Sequence, residues 1–129
     1  MFTIEQIKAA HSNVKSGADF PAYIQALKKL GVTNYETFVV DGHTDYSGAN
    51  DYSVSSPARY DALTIAVTPQ QRQFKQDLKE HQQGKTDYPT FIQCCASLGI
   101  NKWVVRIDAM TCTYFDKAGN EILVEDIPE

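Results

Sequence analysis

The chain predicts an α+β fold made of two copies of one unit. Three observations carry that expectation. The sequence matches itself at an offset of 68 positions, each matching stretch opens with an apolar-striped helix closed by glycine, and alternating strands follow each glycine. Residues 19–46 laid on 87–114 need no gap and share seven identities: Asp19/Asp87, Pro21/Pro89, Ile24/Ile92, Gln25/Gln93, Leu30/Leu98, Gly31/Gly99 and Tyr46/Tyr114. Other positions exchange like for like, among them Phe20/Tyr88, Tyr23/Phe91, Tyr35/Trp103 and Val39/Ile107. The expected architecture is a single domain, 1–129, with repeats over 1–67 and 68–129. Each repeat is helix, helix and three strands; the helices lie on one face of an antiparallel sheet, and a pseudo-twofold axis relates the copies.

The elements follow in order. Thr3 to Gln6 reads as a capping box opening a helix with Ile4, Ile7, His11 and Val14 on one stripe; Thr68-Pro69-Gln70-Gln71 suggests the same start for a stripe of Phe74, Leu78 and His81. Gly17 and Gly84 should stop these two helices. Asp19 and Asp87 are placed to cap the second helix of each half, with Pro21 and Pro89 in its first turn. The buried stripes read Phe20, Tyr23, Ile24, Leu27, Leu30 and Tyr88, Phe91, Ile92, Cys95, Leu98, and Gly31 and Gly99 supply the left-handed residue that ends each.

Strands are expected at Tyr35 to Val40 and His43 to Gly48, joined by a two-residue Asp41-Gly42 turn that sets Val39 opposite Thr44 and Thr37 opposite Tyr46. Trp103 to Asp108 and Thr111 to Asp116 pair likewise around Ala109-Met110. Third strands are expected at Ala62 to Val67 and Glu121 to Glu125. Alternation assigns Tyr35, Thr37, Val39, Thr44, Tyr46, Trp103, Val105, Ile107, Cys112 and Tyr114 to the core side. The opposite face mixes Glu36, His43 and Asp45 with Phe38, Val40, Val104 and Phe115. The stretch Ala49 to Asp61 is about ten residues longer than its counterpart, a length uncommon in compact domains unless functional or disordered.

Composition narrows the classes of function. A net charge of −4 at pH 7 with Lys28-Lys29 as the nearest thing to a basic stripe argues against nucleic-acid binding. No apolar run reaches the roughly 18–20 residues that span a bilayer, and the start of the chain lacks the features of a secretory signal. Cys94, Cys95 and Cys112 form no disulfide framework, so the expected location is cytoplasmic.

The pattern Asp-aromatic-Pro-x-aromatic-Ile-Gln followed by Leu-Gly-Val/Ile, the run Ser55-Ser56-Pro57-Ala58-Arg59-Tyr60, and the tail from Met110 to Tyr114 and through Gly119-Asn120-Glu121 carry a resemblance. Together they resemble an uncharacterised bacterial family often labelled phage-envelope-protein-like, a domain of unknown function. The resemblance covers nearly the whole chain. It implies no reaction, ligand or catalytic residue.

Vicinal Cys94-Cys95 diverge by about 100° around a helix and lack the spacing that activates a thiol, so core filling is their expected role. His11, His43 and His81 lack metal-ligand spacing, and neither phosphate-binding glycine motifs nor a serine nucleophile elbow is present. No metal and no cofactor are expected. His43 with Asp45 is the most suggestive pair, because residues two apart on a strand point the same way and a carboxylate can support an imidazole base. With Glu36, and with Arg59 and Tyr60 from the insertion, they form the candidate ligand site. The expectation is a small soluble non-catalytic binding or interaction protein, a homodimer through its outer sheet face. The alternative is a small-molecule binder or enzyme using those five residues.

Overall fold

The computed structural model describes residues 2–12, 14 and 19–127. Among them four helices, α1 (Ile4–His11), α2 (Phe20–Leu30), α3 (Gln71–Gln82) and α4 (Tyr88–Ser97), accompany six strands. The strands are β1 (Val32–Phe38), β2 (Thr44–Gly48), β3 (Ser53–Ser55), β4 (Lys102–Arg106), β5 (Thr111–Phe115) and β6 (Glu121–Asp126). They form one antiparallel sheet in the order β3-β2-β1-β4-β5-β6, so each half contributes a three-stranded meander and β1 lies beside β4 at the centre. The α+β class expected from the sequence is what the chain adopts.

Helix starts follow local chemistry. Thr3 forms its capping box: its hydroxyl accepts the Gln6 amide while the Gln6 side chain accepts the Thr3 amide. Asp87 has an extended backbone and caps the Thr90 amide at 2.9 Å. Asp19 does not cap α2. Its backbone is already helical (φ −88°, ψ −3°), whereas an N-cap carboxylate reaches the first amides from an extended backbone. The second capping box is also absent, because residues 66–70 are used differently. The Ala66 amide donates to the Ala96 carbonyl and the Gln70 amide to that of Leu98, so this segment straps the end of α4 and α3 begins only at Gln71. The strap supplies partners for carbonyls that the end of a helix leaves open. Gly84 stops α3 as expected; Gly17 lies outside the described residues.

The core side is as expected. Tyr35, Thr37, Val39, Thr44, Tyr46, Trp103, Val105, Ile107, Cys112 and Tyr114 are all buried. All but Thr37 and Thr44 join Ile24, Leu27, Phe74, Ile92 and Cys95 of the helices in one continuous cluster. Hairpin register differs from the expectation by two residues: Thr37 faces Thr44 and Tyr35 faces Tyr46. The Val39 amide donates to Asn101 on the neighbouring hairpin and the Val40 carbonyl accepts from Leu63, which leaves a four-residue turn in place of a two-residue one. A shift of two preserves the faces, so the burial pattern survives it. The β4–β5 hairpin has the corresponding register, with Trp103 opposite Tyr114. Ala62 to Val67 is not a strand. Ser53–Ser55, within the long insertion, takes the edge beside β2, while the later segment bonds Val40 through the Leu63 amide and the end of α4 through the Ala66 amide, and buries Ile65.

Candidate functional site: an aromatic cleft between the helix pairs

The five residues singled out by sequence lie in different places. On the outer face, His43 pairs with Asp41 rather than Asp45: Asp41 accepts the His43 amide at 3.0 Å and meets the ring Nδ1. These two hydrogen bonds, the amide first, hold the Asp41 carboxyl below the usual carboxylate range. The imidazole stacks flat on Phe38, with centroids 4.4 Å apart. Asp45 accepts a hydrogen bond from Ser55. Glu36 pairs with Lys102 at 3.0 Å, and the Lys102 ammonium sits over the rings of Phe38 and Phe115. Tyr60 donates its hydroxyl to the Val39 carbonyl. Arg59 belongs to the other face of the sheet, where it lines a cleft.

That cleft measures about 800 Å³ and runs between the α1–α2 pair and the α3–α4 pair. Its floor is the inner sheet surface, with Tyr35 and Tyr46 from one hairpin and Trp103 and Tyr114 from the other. Tyr23 of α2 and Phe91 of α4 line its walls, each carrying a histidine: His11 meets Tyr23 edge-on at 5.3 Å and His81 stacks on Phe91 at 4.3 Å. The outer face offers a smaller depression of about 390 Å³ near Val104, Arg106 and Phe115.

Tyrosine lines this space because the ring can stay in the core while the hydroxyl finds a polar partner or open volume. Burial pushes the Tyr23 and Tyr35 hydroxyls up out of the ionising range, and that of Tyr88 up to about 12. They are therefore neutral donors at physiological pH. The nearby Tyr46 hydroxyl raises Tyr23 further, and Tyr35, Tyr46 and Tyr88 all line the cleft with it. His11 and His81 titrate below the usual histidine range, chiefly because burial disfavours their charged form. At neutral pH the walls are uncharged. The thiols are suppressed too: burial raises Cys95, and raises Cys112 to about 12. A cleft of this size with aromatic walls and a few convergent donors has the makings of a small-molecule site.

The sequence assigned these tyrosines to a solid core. Seven tyrosines in 129 residues, several on the face read as core, were the available signal, since a buried hydroxyl must be satisfied somewhere.

This arrangement defines an α+β protein with an aromatic cleft enclosed between its helices and its sheet. The chain belongs to a family described as proteins of unknown function (DUF1398), whose model matches residues 8–126. No curated protein matches it. Among the described residues no helix is long and apolar enough to cross a membrane, and no three His, Cys, Asp or Glu side chains gather as a metal site.

Proposed function

We propose that the protein is a non-catalytic small-molecule-binding protein that holds a flat, largely apolar ligand in the cleft between the helix pairs. The observation that carries this reading is the floor. Tyr35, Tyr46, Trp103 and Tyr114 offer ring surface to an open volume of about 800 Å³, within the range that takes a drug-sized molecule. A packed core leaves no such volume, since interiors fill to the density of organic crystals. The reading takes the protein to work in the cytoplasm, where its three free thiols stay reduced. The phage-envelope label has no part in it.

The same reading treats the chain as a duplicated unit, 1–67 and 68–129, with a pseudo-twofold axis through the central pair Glu36–Val104. Two reciprocal hydrogen bonds support it: Val39 N–H to Asn101 and Ile107 N–H to Thr33, each 2.9 Å. Both donors and both acceptors are 68 positions apart. Gly42 and Met110, also 68 apart, share positive φ in the two turns. Leu27 and Cys95 are equally buried. The cleft then lies on the axis, where the two helix pairs face each other.

Self-association through the outer face is the second reading. Val124 there is half exposed, beside the partly covered Phe38, Val104 and Phe115. Lys102, lying over two of these rings, already shields them, which weakens the drive to associate.

The test uses Trp103, the sole tryptophan. Neutral N-phenyl-naphthylamine should receive excitation from Trp103 saturably and with one-to-one stoichiometry. Cys112→Phe and Val14→Phe, which fill the cleft from floor and wall, should each abolish that transfer in a folded protein. Transfer that is absent, non-saturable or unchanged in folded filled variants counts against the reading.

A further inference from the structure

The two ends of the cleft carry opposite charge, and this gives a bound molecule a direction. Arg59 arises from the long connector of the first half. Its amide donates to the Asp41 carbonyl at 2.8 Å, and the Ser56 amide donates to the Thr44 carbonyl at 2.8 Å, so this connector is fastened beside the β1–β2 turn. At the diagonally opposite corner, Glu125 pairs across from Cys112 and the Ile127 amide donates to the Met110 carbonyl at 2.8 Å, beside the β4–β5 turn. Antiparallel β1 and β4 put those two turns at opposite ends of the sheet. Both segments line the cleft, the connector bringing a guanidinium and the end of β6 bringing Glu125 and Asp126.

Arg59 makes no ion pair with a carboxylate among the described residues. Its charge acts on Tyr23, Tyr88 and His11 of the cleft lining and on Tyr60 beside them, whose hydroxyl is already given to the Val39 carbonyl, so it is directed at the end of the cleft that holds the Tyr23 and Tyr88 hydroxyls. Around it stand neutral donors and a histidine that resists protonation. That end therefore offers a cation and hydroxyl donors to an oxyanion, and the far end repels one. Lys85 and Asp87, of opposite sign, are both exposed at the rim.

Resting on the reading of the cleft as a ligand site, we infer that the ligand is an aromatic or polycyclic molecule with an anionic oxygen head, and that Arg59 draws this head to the end beside the β1–β2 turn. Arg59 is thus a specificity residue, and the insertion that supplies it breaks the symmetry of the cleft.

Two probes that differ only by a sulfonate test this in the intact chain: anilinonaphthalene sulfonate and neutral N-phenyl-naphthylamine, both followed by energy transfer from Trp103. Arg59→Ala should weaken the sulfonate about tenfold, the scale of a lost charge-assisted hydrogen bond, and change the neutral probe less than about twofold. Arg59→Lys should recover most of the sulfonate affinity, and Lys85→Ala should leave it within about twofold. Arg59 is exposed, so these variants test the cleft rather than folding. Equal loss for both probes, no loss for either, or dependence on Lys85 in place of Arg59 overturns the inference while leaving the cleft as a site. Failure of both probes to bind the unaltered protein overturns the site itself, and the inference with it.

Discussion

Gly31 and Gly99 occupy matching places after α2 and α4, yet the structure predicts different costs for filling them. Both have positive φ, +101° and +83°. An alanine at either position carries the left-handed penalty of roughly 1–2 kcal/mol. At Gly31 that is the whole cost, because the nearest atom to an added Cβ is a Phe2 ring carbon at 4.0 Å. At Gly99 the Cβ would stand 2.7 Å from the Pro69 Cα, 2.8 Å from the Thr68 carbonyl oxygen and 2.9 Å from the Pro69 nitrogen. These are backbone atoms of the strap that closes α4, and they can move only by loosening Gln70 N–H to Leu98 and Ala66 N–H to Ala96. Overpacking of this kind adds about 1–3 kcal/mol, so Gly99→Ala should cost roughly 2–5 kcal/mol in all. Urea unfolding at constant m-value measures the difference, and in melting temperature it corresponds to roughly 3–5 °C per kcal/mol for a chain of this size. Asparagine separates the two contributions. It tolerates the left-handed region, so Gly31→Asn should fall within about 0.5 kcal/mol of the parent, while Gly99→Asn stays destabilised by the clash. Equal costs at the two sites, or rescue of both by asparagine, would refute the role assigned to the strap.

Further outcomes follow from the same geometry. Thr37 and Thr44 share a buried hydroxyl–hydroxyl bond of 3.0 Å; Thr44→Val alone should cost about 1–3 kcal/mol, and adding Thr37→Val should recover much of it, as a double-mutant cycle in urea would read. Thr3→Ala removes the capping box and should cost about 1 kcal/mol, with the loss visible in thermal unfolding. His11 and His81 are held below their ordinary value of 6.5 in the folded protein, so on acidification the unfolded chain takes up protons first. Their contribution is therefore full above about pH 6.5 and lost as the pH falls through the lowered folded values. The urea midpoint should drop between about pH 7.5 and pH 5.5, and the double variant His11→Gln/His81→Gln should flatten that slope.

Much of the fold was legible because strand alternation and the paired glycine stops are local signals that tertiary packing did not override. All ten positions assigned to the core side are buried, even though the hairpin register differs by two. That register could not be read locally: Asp41-Gly42 favours a tight turn, but the neighbouring Val39 and Val40 make backbone bonds to Asn101 and Leu63, which lie far along the chain. The same holds for Thr68-Pro69, whose capping pattern yields to contacts with the end of α4. The candidate site was less legible. His43 and Asp45 do point to one face, but Asp41 and Phe38 occupy the imidazole, and Arg59 turns to the opposite side of the sheet. A cleft bounded by four helices and floored by two hairpins has no compact sequence signature. Only the surplus of tyrosine on an inward face hinted at open volume there.

Intermolecular nuclear Overhauser effects between N-phenyl-naphthylamine and the protein would locate the bound probe directly. Ligand contact with the Trp103 indole and with the rings of Tyr46 and Tyr114, together with none to Phe38 or Phe115, is the result expected of a molecule lodged between the helix pairs. Cross-peaks to Phe38, Phe115 and Val124 without any to Trp103 would put the ligand on the outer sheet and contradict the account.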